Sequence, residues 1–530
     1  MASKETVTRI EHGLSGVASS LSQRPGWLAA GVSVLSLVVY LATLAPDLTN
    51  ANFGTDGGDL IAAARTLGVP HPSGYPTYVL LAWLASHLPV GSIAYRVNLL
   101  SAVCAALAVG LFFSVARRML PADRSPLLLP ALAALTLAFS SLLWSQAVIA
   151  EVYALLMLFS VLLVWLLVRW RAEQHDLYLW LAGLTLGLAL GNHLTIVFCA
   201  PAALVYLWPD RRGWLRFRTL LPAVVLFVVG LSVYAYLPLA ARHRPPMNWG
   251  NPQTWDGFLW VVSGEQYQQF VFGLETSEIA GRVSEWAELL GGQFGWWGLA
   301  IALIGAWGQW QRQRRFFLFT VTWASLVGTY AFFYDTSDSY MYLLPVVMLM
   351  ALWWGEGVYL LLGMMRRQRK IWQRLALTIL ILLPAVSLAL HWQAVDPDDD
   401  WESRIYFEQV LETVPQDSLI IVRADQPTFA LWYAVYAEGM RSDVRVVSGP
   451  MLAFIWYRDH IRNLYPGLVV NVPRGKNLTW DDLVYDLVAS NSDLSTYMTD
   501  FKEEWRQWFD LTKVGDSPIY HVGLAGSSEP

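Results

Sequence analysis

Two carboxylates, a histidine and a tyrosine fall within Asn52-Phe53-Gly54-Thr55-Asp56-Gly57-Gly58-Asp59-Leu60 and the nearby Gly68-Val69-Pro70-His71-Pro72-Ser73-Gly74-Tyr75-Pro76. A carboxylate held at the mouth of a dry pocket has its pKa raised and can take a proton from a hydroxyl nucleophile. Asp56 and Asp59 are therefore the candidate catalytic pair, with His71 and Tyr75 in the substrate pocket. A plainer role competes: Asp56 as a helix N-cap and Asp59 in the first turn would both complement a short helix over 59–67, ended by Gly68 and Pro70. A capping carboxylate needs neither the flanking Gly-Gly nor His-Pro-Ser-Gly-Tyr-Pro. The catalytic reading is thus preferred for Asp56, while Asp59 stays balanced between catalysis and helix start.

Other polar groups stand at the ends of apolar runs. Glu151 opens one such run and suits its helix dipole, or it joins the pocket. His193, after Asn192, is either a satisfied turn residue or a substrate contact near the donor phosphate. Arg242 and Arg244 flank His243 and could clamp a lipid phosphate by charge-assisted bonds or snorkel to headgroups. Asn248 and Trp249 follow in the same loop, where a tryptophan could stack on a sugar ring or anchor the interface. Asp335 and Asp338 read as ordinary turn residues. With Glu151 they would suit an oxygen-preferring ion, but no spacing demands one, so no cofactor is assigned and a divalent metal is left open.

These residues need a membrane scaffold. Of 530 residues, 55% are hydrophobic and only 15% charged, a balance that fits a polytopic α-helical membrane protein. The net charge of -5 averages a basic rim with acidic segments and is uninformative about nucleic acid, but no basic tract suggests such a partner, so none is expected. Cys104 and Cys199 lie inside apolar runs, so neither a disulfide nor a metal cluster is expected. The length rule yields about 11 transmembrane helices. Basic clusters such as Arg117-Arg118, Arg211-Arg212 and Arg312 to Arg315 fall on one side, which places the N-terminus in the cytoplasm. The expected organisation is a cytoplasmic tail 1–25 and a transmembrane domain 26–390 with outer loops 46–96 and 240–294. An extracytoplasmic α/β domain 391–522 with a parallel sheet and a disordered tail 523–530 follow. The run 77–89 is too short to span and reads as interfacial. Asp56, Asp59, His71, Glu151, His193 and the Arg242 cluster then share the outer face, and ionisable groups gathered at membrane depth mark a functional site.

Thr55-Asp56-Gly57-Gly58-Asp59, the Gly68 to Pro76 block and Arg96-Val97-Asn98-Leu99-Leu100-Ser101 together resemble the DUF2723 membrane family, which includes TMEM-type protein O-mannosyltransferases. Ala150 to Tyr153, Gly191 to Thr195 and Asn248 to Pro252 extend the likeness. An acidic first loop and a Pro-led interfacial helix are also similar to GT-C glycosyltransferases. The resemblance implies a GT-C-like fold and an enzyme of the plasma membrane that takes a sugar, here mannose, from a polyprenyl-phosphate carrier. The acceptor would be a hydroxyl of a protein or glycan on the extracytoplasmic face, the transfer inverting, and Asp56 the base. Ala240 stands where many relatives carry arginine, which leaves Arg242 or Arg244 for the phosphate. The rival is a lipid-linked sugar transporter or flippase with an outer receptor domain. It would need ionisable groups on both faces or at the midplane and repeat symmetry, and the sequence shows neither.

Overall fold

The computed structural model describes residues 25–121, 127–365, 368–471 and 479–526. The expected N-terminal tail, up to residue 24, lies outside them, as do 527–530 of the expected C-terminal tail. The chain opens with α1 (Pro25–Ala42), α2 (Gly57–Thr66), α3 (Pro76–Ser86), α4 (Ile93–Met119), α5 (Leu128–Ala138), α6 (Ser141–Ala147), α7 (Tyr153–Glu173) and α8 (Leu177–Leu190). It continues through α9 (Cys199–Leu207), α10 (Phe217–Leu231), α11 (Tyr236–Arg242), α12 (Trp255–Ser263), α13 (Ile279–Arg312), α14 (Arg314–Phe333), α15 (Leu344–Met364) and α16 (Lys370–Val395). Among the described residues seven helical spans are long and apolar enough to cross a membrane, or eight with the α5–α6 pair, which bends by 64°. The expected count of about 11 is thus not reached among the described residues: the remaining apolar runs are helical but form the shorter helices α1, α8 and α9. The chain is an integral membrane protein.

Local chemistry explains the boundaries that matter. Pro76 starts α3, where a missing N–H costs nothing, and Ser92 caps α4 by accepting from the Tyr95 N–H. Helix α3 is only 11 residues long, in keeping with an interfacial segment. The amphipathic stretch near 278–290 is continuous with the following span: α13 has 34 residues and breaks only at Gly295, whose φ of 70° and ψ of 157° redirect the axis. The expected boundary at residue 294 thus falls beside a kink in a helix that already begins at Ile279.

After α16 the chain builds α17 (Glu402–Thr413), β1 (Leu419–Val422), α18 (Asp425–Trp432), β2 (Arg445–Ser448), α19 (Ile455–Leu464), α20 (Trp480–Ala489), β3 (Thr496–Met498), β4 (Phe509–Lys513) and β5 (Tyr520–Leu524). The sheet order is β2-β1-β3-β5-β4. β1 pairs in parallel with β2 and β3, whereas β5 is antiparallel to both β3 and β4. The expected parallel sheet is thus mixed, because the connection 514–519 is too short for a crossover and closes a hairpin. β5 also carries order through Leu524, two residues past the expected domain limit.

This α/β unit holds the loop between α1 and α3. Arg404 pairs with buried Asp47 at 2.6 Å and with Glu408 at 2.7 Å. Tyr433 donates to Asp47 at 3.0 Å, Asn50 donates to Ser403, and Thr49 bonds Asp400. Asn52 donates to the Val395 carbonyl, and Gln146 of α6 donates to the Asn52 carbonyl.

Candidate active site

Asn52 and Phe53 both take left-handed φ values, 55° and 63°, before a single 3-10 turn brings Asp56 to the start of α2. Asp56 occupies the N-cap position, yet its side chain makes no capping bond. The carboxylate faces a cavity instead. Asp59, in the first turn, is 0% exposed. One of its oxygens accepts from the His71 backbone N–H at 3.0 Å and from His71 Nδ1 at 2.7 Å, and the other accepts from Trp249 Nε1 at 2.8 Å. Three donors offset the burial of that charge. The outer ring nitrogen of His71, Nε2, lies 3.5 Å from Asp56 Oδ2. An inner carboxylate thus aims the imidazole at an outer one.

The glycines of the motif permit close packing. A Cβ on Gly58 would overlap the Phe429 carbonyl of α18, and one on Gly68 would overlap the Met247 carbonyl. The strand-like contact of Val69 with Asn248 is closed by Val69 N–H to Met247 O at 2.8 Å and Trp249 N–H to Val69 O at 3.1 Å. Two separate parts of the chain are thereby pinned to the loop that carries Asp56.

The cavity measures about 380 Å³, and its walls include Asp56, His71, Tyr75, His193, Tyr267, Asp338 and Asp425. The Asp56 side chain is 44% exposed and lines this recess. Burial within the protein pushes its pKa up to about 6; Asp59, Asp338 and Asp425 add to the rise and His71 opposes it. Burial works against charge on His71, but Asp56 and the Asp59 bond outweigh it and raise that group to about 9. His193 goes the other way. Burial, and then repulsion from His71, lower it to about 4, so it is neutral near pH 7, with Nδ1 2.8 Å from the Thr195 hydroxyl.

Six sequence candidates come together here and the others do not line the cavity. Asp56, His71, Tyr75 and His193 line it directly. The His71 and Tyr75 rings are 4.9 Å apart, and Asp59 sits behind His71 as a positioning residue. Glu151 is buried behind the wall, accepting from the Val152 N–H. Trp249 is not a sugar platform: its ring packs against Phe429, Trp432 and Trp456 of the α/β unit, and its N–H serves Asp59. Asn248 is buried beside it and does not line the cavity. Arg242 and Arg244 are exposed at the end of α11 and do not reach the cavity walls. His71 is the only cationic group among the described lining residues. Sequence reasoning passed over Asp338 as a turn residue. It missed Asp425 altogether, whose only signal was its place at the first position of a helix. No group of three or more metal-binding side chains occurs among the described residues.

Residues 56–213 match the family model described as the Protein O-mannosyl-transferase TMEM260 N-terminal domain, and residues 404–471 match TMEM260-associated domain 2. The chain is 29% identical to mouse protein O-mannosyl-transferase TMEM260 over 480 residues, covering 84% of this chain and 66% of that protein. It is 24% identical to the Dictyostelium discoideum protein of the same name over 476 residues, 79% of this chain and 57% of the relative. The chain thus spans less than two thirds of either relative's length. Among solved structures, ArnT from Cupriavidus metallidurans bound to undecaprenyl phosphate superposes with a TM-score of 0.58 at 12% identity, covering 96% of this chain and all of that one. The chain thus shares its fold with ArnT over nearly its whole length, membrane helices and C-terminal sheet domain included.

Proposed function

We propose that this chain is an inverting membrane glycosyltransferase that moves a sugar from a polyprenyl-phosphate carrier to an acceptor hydroxyl on the extracytoplasmic face. The names of the matched relatives favour mannose and a protein acceptor, and the undecaprenyl phosphate of the ArnT structure favours a polyprenyl carrier. The motifs of the first loop keep the likeness to DUF2723 within this reading. The observation that carries it is the Asp56 carboxylate, free of any capping bond, in a cavity beside a histidine fixed by a second carboxylate.

Asp56 accepts the proton of the acceptor hydroxyl as its oxygen attacks the anomeric carbon. The bond from that carbon to the phosphate oxygen breaks, and the lipid phosphate leaves with the electron pair. With Arg242 and Arg244 outside the cavity, the leaving charge meets the imidazolium of His71 and hydroxyl donors such as Tyr75 and Tyr267. Preorganised donors of this kind act where charge develops. Asp59 does not touch substrate; it holds His71 in register.

Reconstitution with polyprenyl-phosphomannose and serine or threonine acceptors tests the reading. Asp56→Asn is expected to lower turnover by about 10²- to 10⁴-fold, the usual cost of losing a general base. Equal turnover in both proteins would remove Asp56 from the mechanism.

A further inference from the structure

A second cavity of about 550 Å³ adjoins the first, and Phe53 and Thr55 line both. Phe53 stands between them in its left-handed conformation, its ring 5.4 Å from that of Tyr340. The two cavities differ in chemistry. The first gathers three carboxylates and two histidines, whereas the second has no ionisable acid or base among its described lining residues apart from the Tyr340 phenol. Its polar groups are neutral amides and hydroxyls, notably Asn50, Asn52, Ser145 and Gln426, set against apolar Leu142 and Leu289.

Several of those polar groups have capacity to spare. Asn50 and Asn52 donate their amide N–H groups to Ser403 and to the Val395 carbonyl, and among the described residues neither amide oxygen accepts a bond. Gln426 is exposed, and its side chain makes no hydrogen bond among the described residues. A hydrocarbon chain laid here would strand these amides without partners, which is costly. Alternating amide groups with intervening apolar side chains are what an extended polypeptide presents. We propose that this cavity is the acceptor site and takes an uncharged, extended peptide segment whose serine or threonine hydroxyl passes Thr55 to reach Asp56. The inference rests on the transferase reading and adds where the acceptor lies and what flanking sequence it favours. It also gives the α/β unit a share in specificity, through Gln426 at the start of α18.

Charge at Gln426 is the test, because Gln426→Glu is isosteric and a general structural defect would affect all peptides alike. The full chain in nanodiscs is assayed with serine peptides flanked by aspartate or by lysine. In Gln426→Glu the KM for the lysine-flanked peptide is expected to fall and that for the aspartate-flanked peptide to rise, each by about threefold to fivefold, as for an exposed charge pair. Gln426→Lys should reverse the order. Fluorescently labelled versions with alanine in place of serine report binding without chemistry and should follow the same order. A change in the KM of the polyprenyl donor with none in that of the peptides would assign the cavity to the lipid and overturn the proposal. Transfer by the wild type with neither KM nor peptide affinity responding to charge at Gln426 would also overturn it. No transfer by the wild type, with peptide affinity still following that charge, would sink the transferase reading and uphold the peptide site.

Discussion

Protonation at Asp56 is governed by groups brought to the cavity from distant parts of the chain, since Asp338 follows α14 and Asp425 begins α18. Burial is the largest cause of its raised pKa, and those two carboxylates push in the same direction. The sign is direct: a base with a pKa of about 6 is ionised only above that value. kcat/KM should therefore rise as pH increases through about 6, rather than through the ordinary aspartate value near 4. Asp338→Asn removes one repelling charge and should move this acid limb to lower pH, and a pH–rate profile of both proteins checks it. An unmoved limb would mean that Asp338 does not share the field of the base. Asp59 illustrates why the sequence left two roles open. Three residues from Asp56, it has the same side chain and nearly the same local signals. Only the return of His71 and Trp249 to its two oxygens separates a positioning carboxylate from a reacting one.

Helices α2 and α18 meet at Gly58, and that contact sets where Asp425 and Gln426 stand. Gly58→Ala would drive a Cβ into the Phe429 carbonyl and force α18 away from the loop. Glycosyl transfer should fall at least tenfold while the protein still inserts and extracts as a folded monodisperse species, as judged by size-exclusion chromatography in detergent. Wild-type turnover in this variant would show that α18 has no part in the site. Elements of this kind were unevenly legible. The apolar runs announced the helices, because a helix in lipid must satisfy its backbone alone and so must be long and greasy, but they overcounted the spans, since α1, α8 and α9 are shorter. The Gly-rich loop also announced itself. The purpose of its second glycine did not, since the helix it accommodates lies in the other matched region of the chain. Arg242 and Arg244 were misplaced for a related reason. Side and sequence order put them near the cavity, but α11 ends with both exposed.

Across the whole molecule, the α/β unit and the membrane helices are joined by a buried charge. Asp47 is 1% exposed and depends on Arg404. Arg404→Met leaves that carboxylate with only neutral donors and should cost about 3 kcal/mol, the lower end for breaking a buried pair. A lower thermal unfolding midpoint in detergent would register it, and an unchanged midpoint would show that the pair is not structural. The composition change near residue 391 was readable, as were the first two strands and the helices between and after them. The mixed sheet and the docking were not, because pairing partners for β5 and anchors for Asp47 are set by tertiary packing rather than by local pattern. The share of the α/β unit in the cavity also bears on timing during synthesis. Asp56 and His71 reach the membrane early, but the wall that carries Asp425 and Gln426 is made only after α16 has been translated. The cavity is complete only when synthesis has passed the start of α18, so the full set of groups around Asp56 forms late in translation.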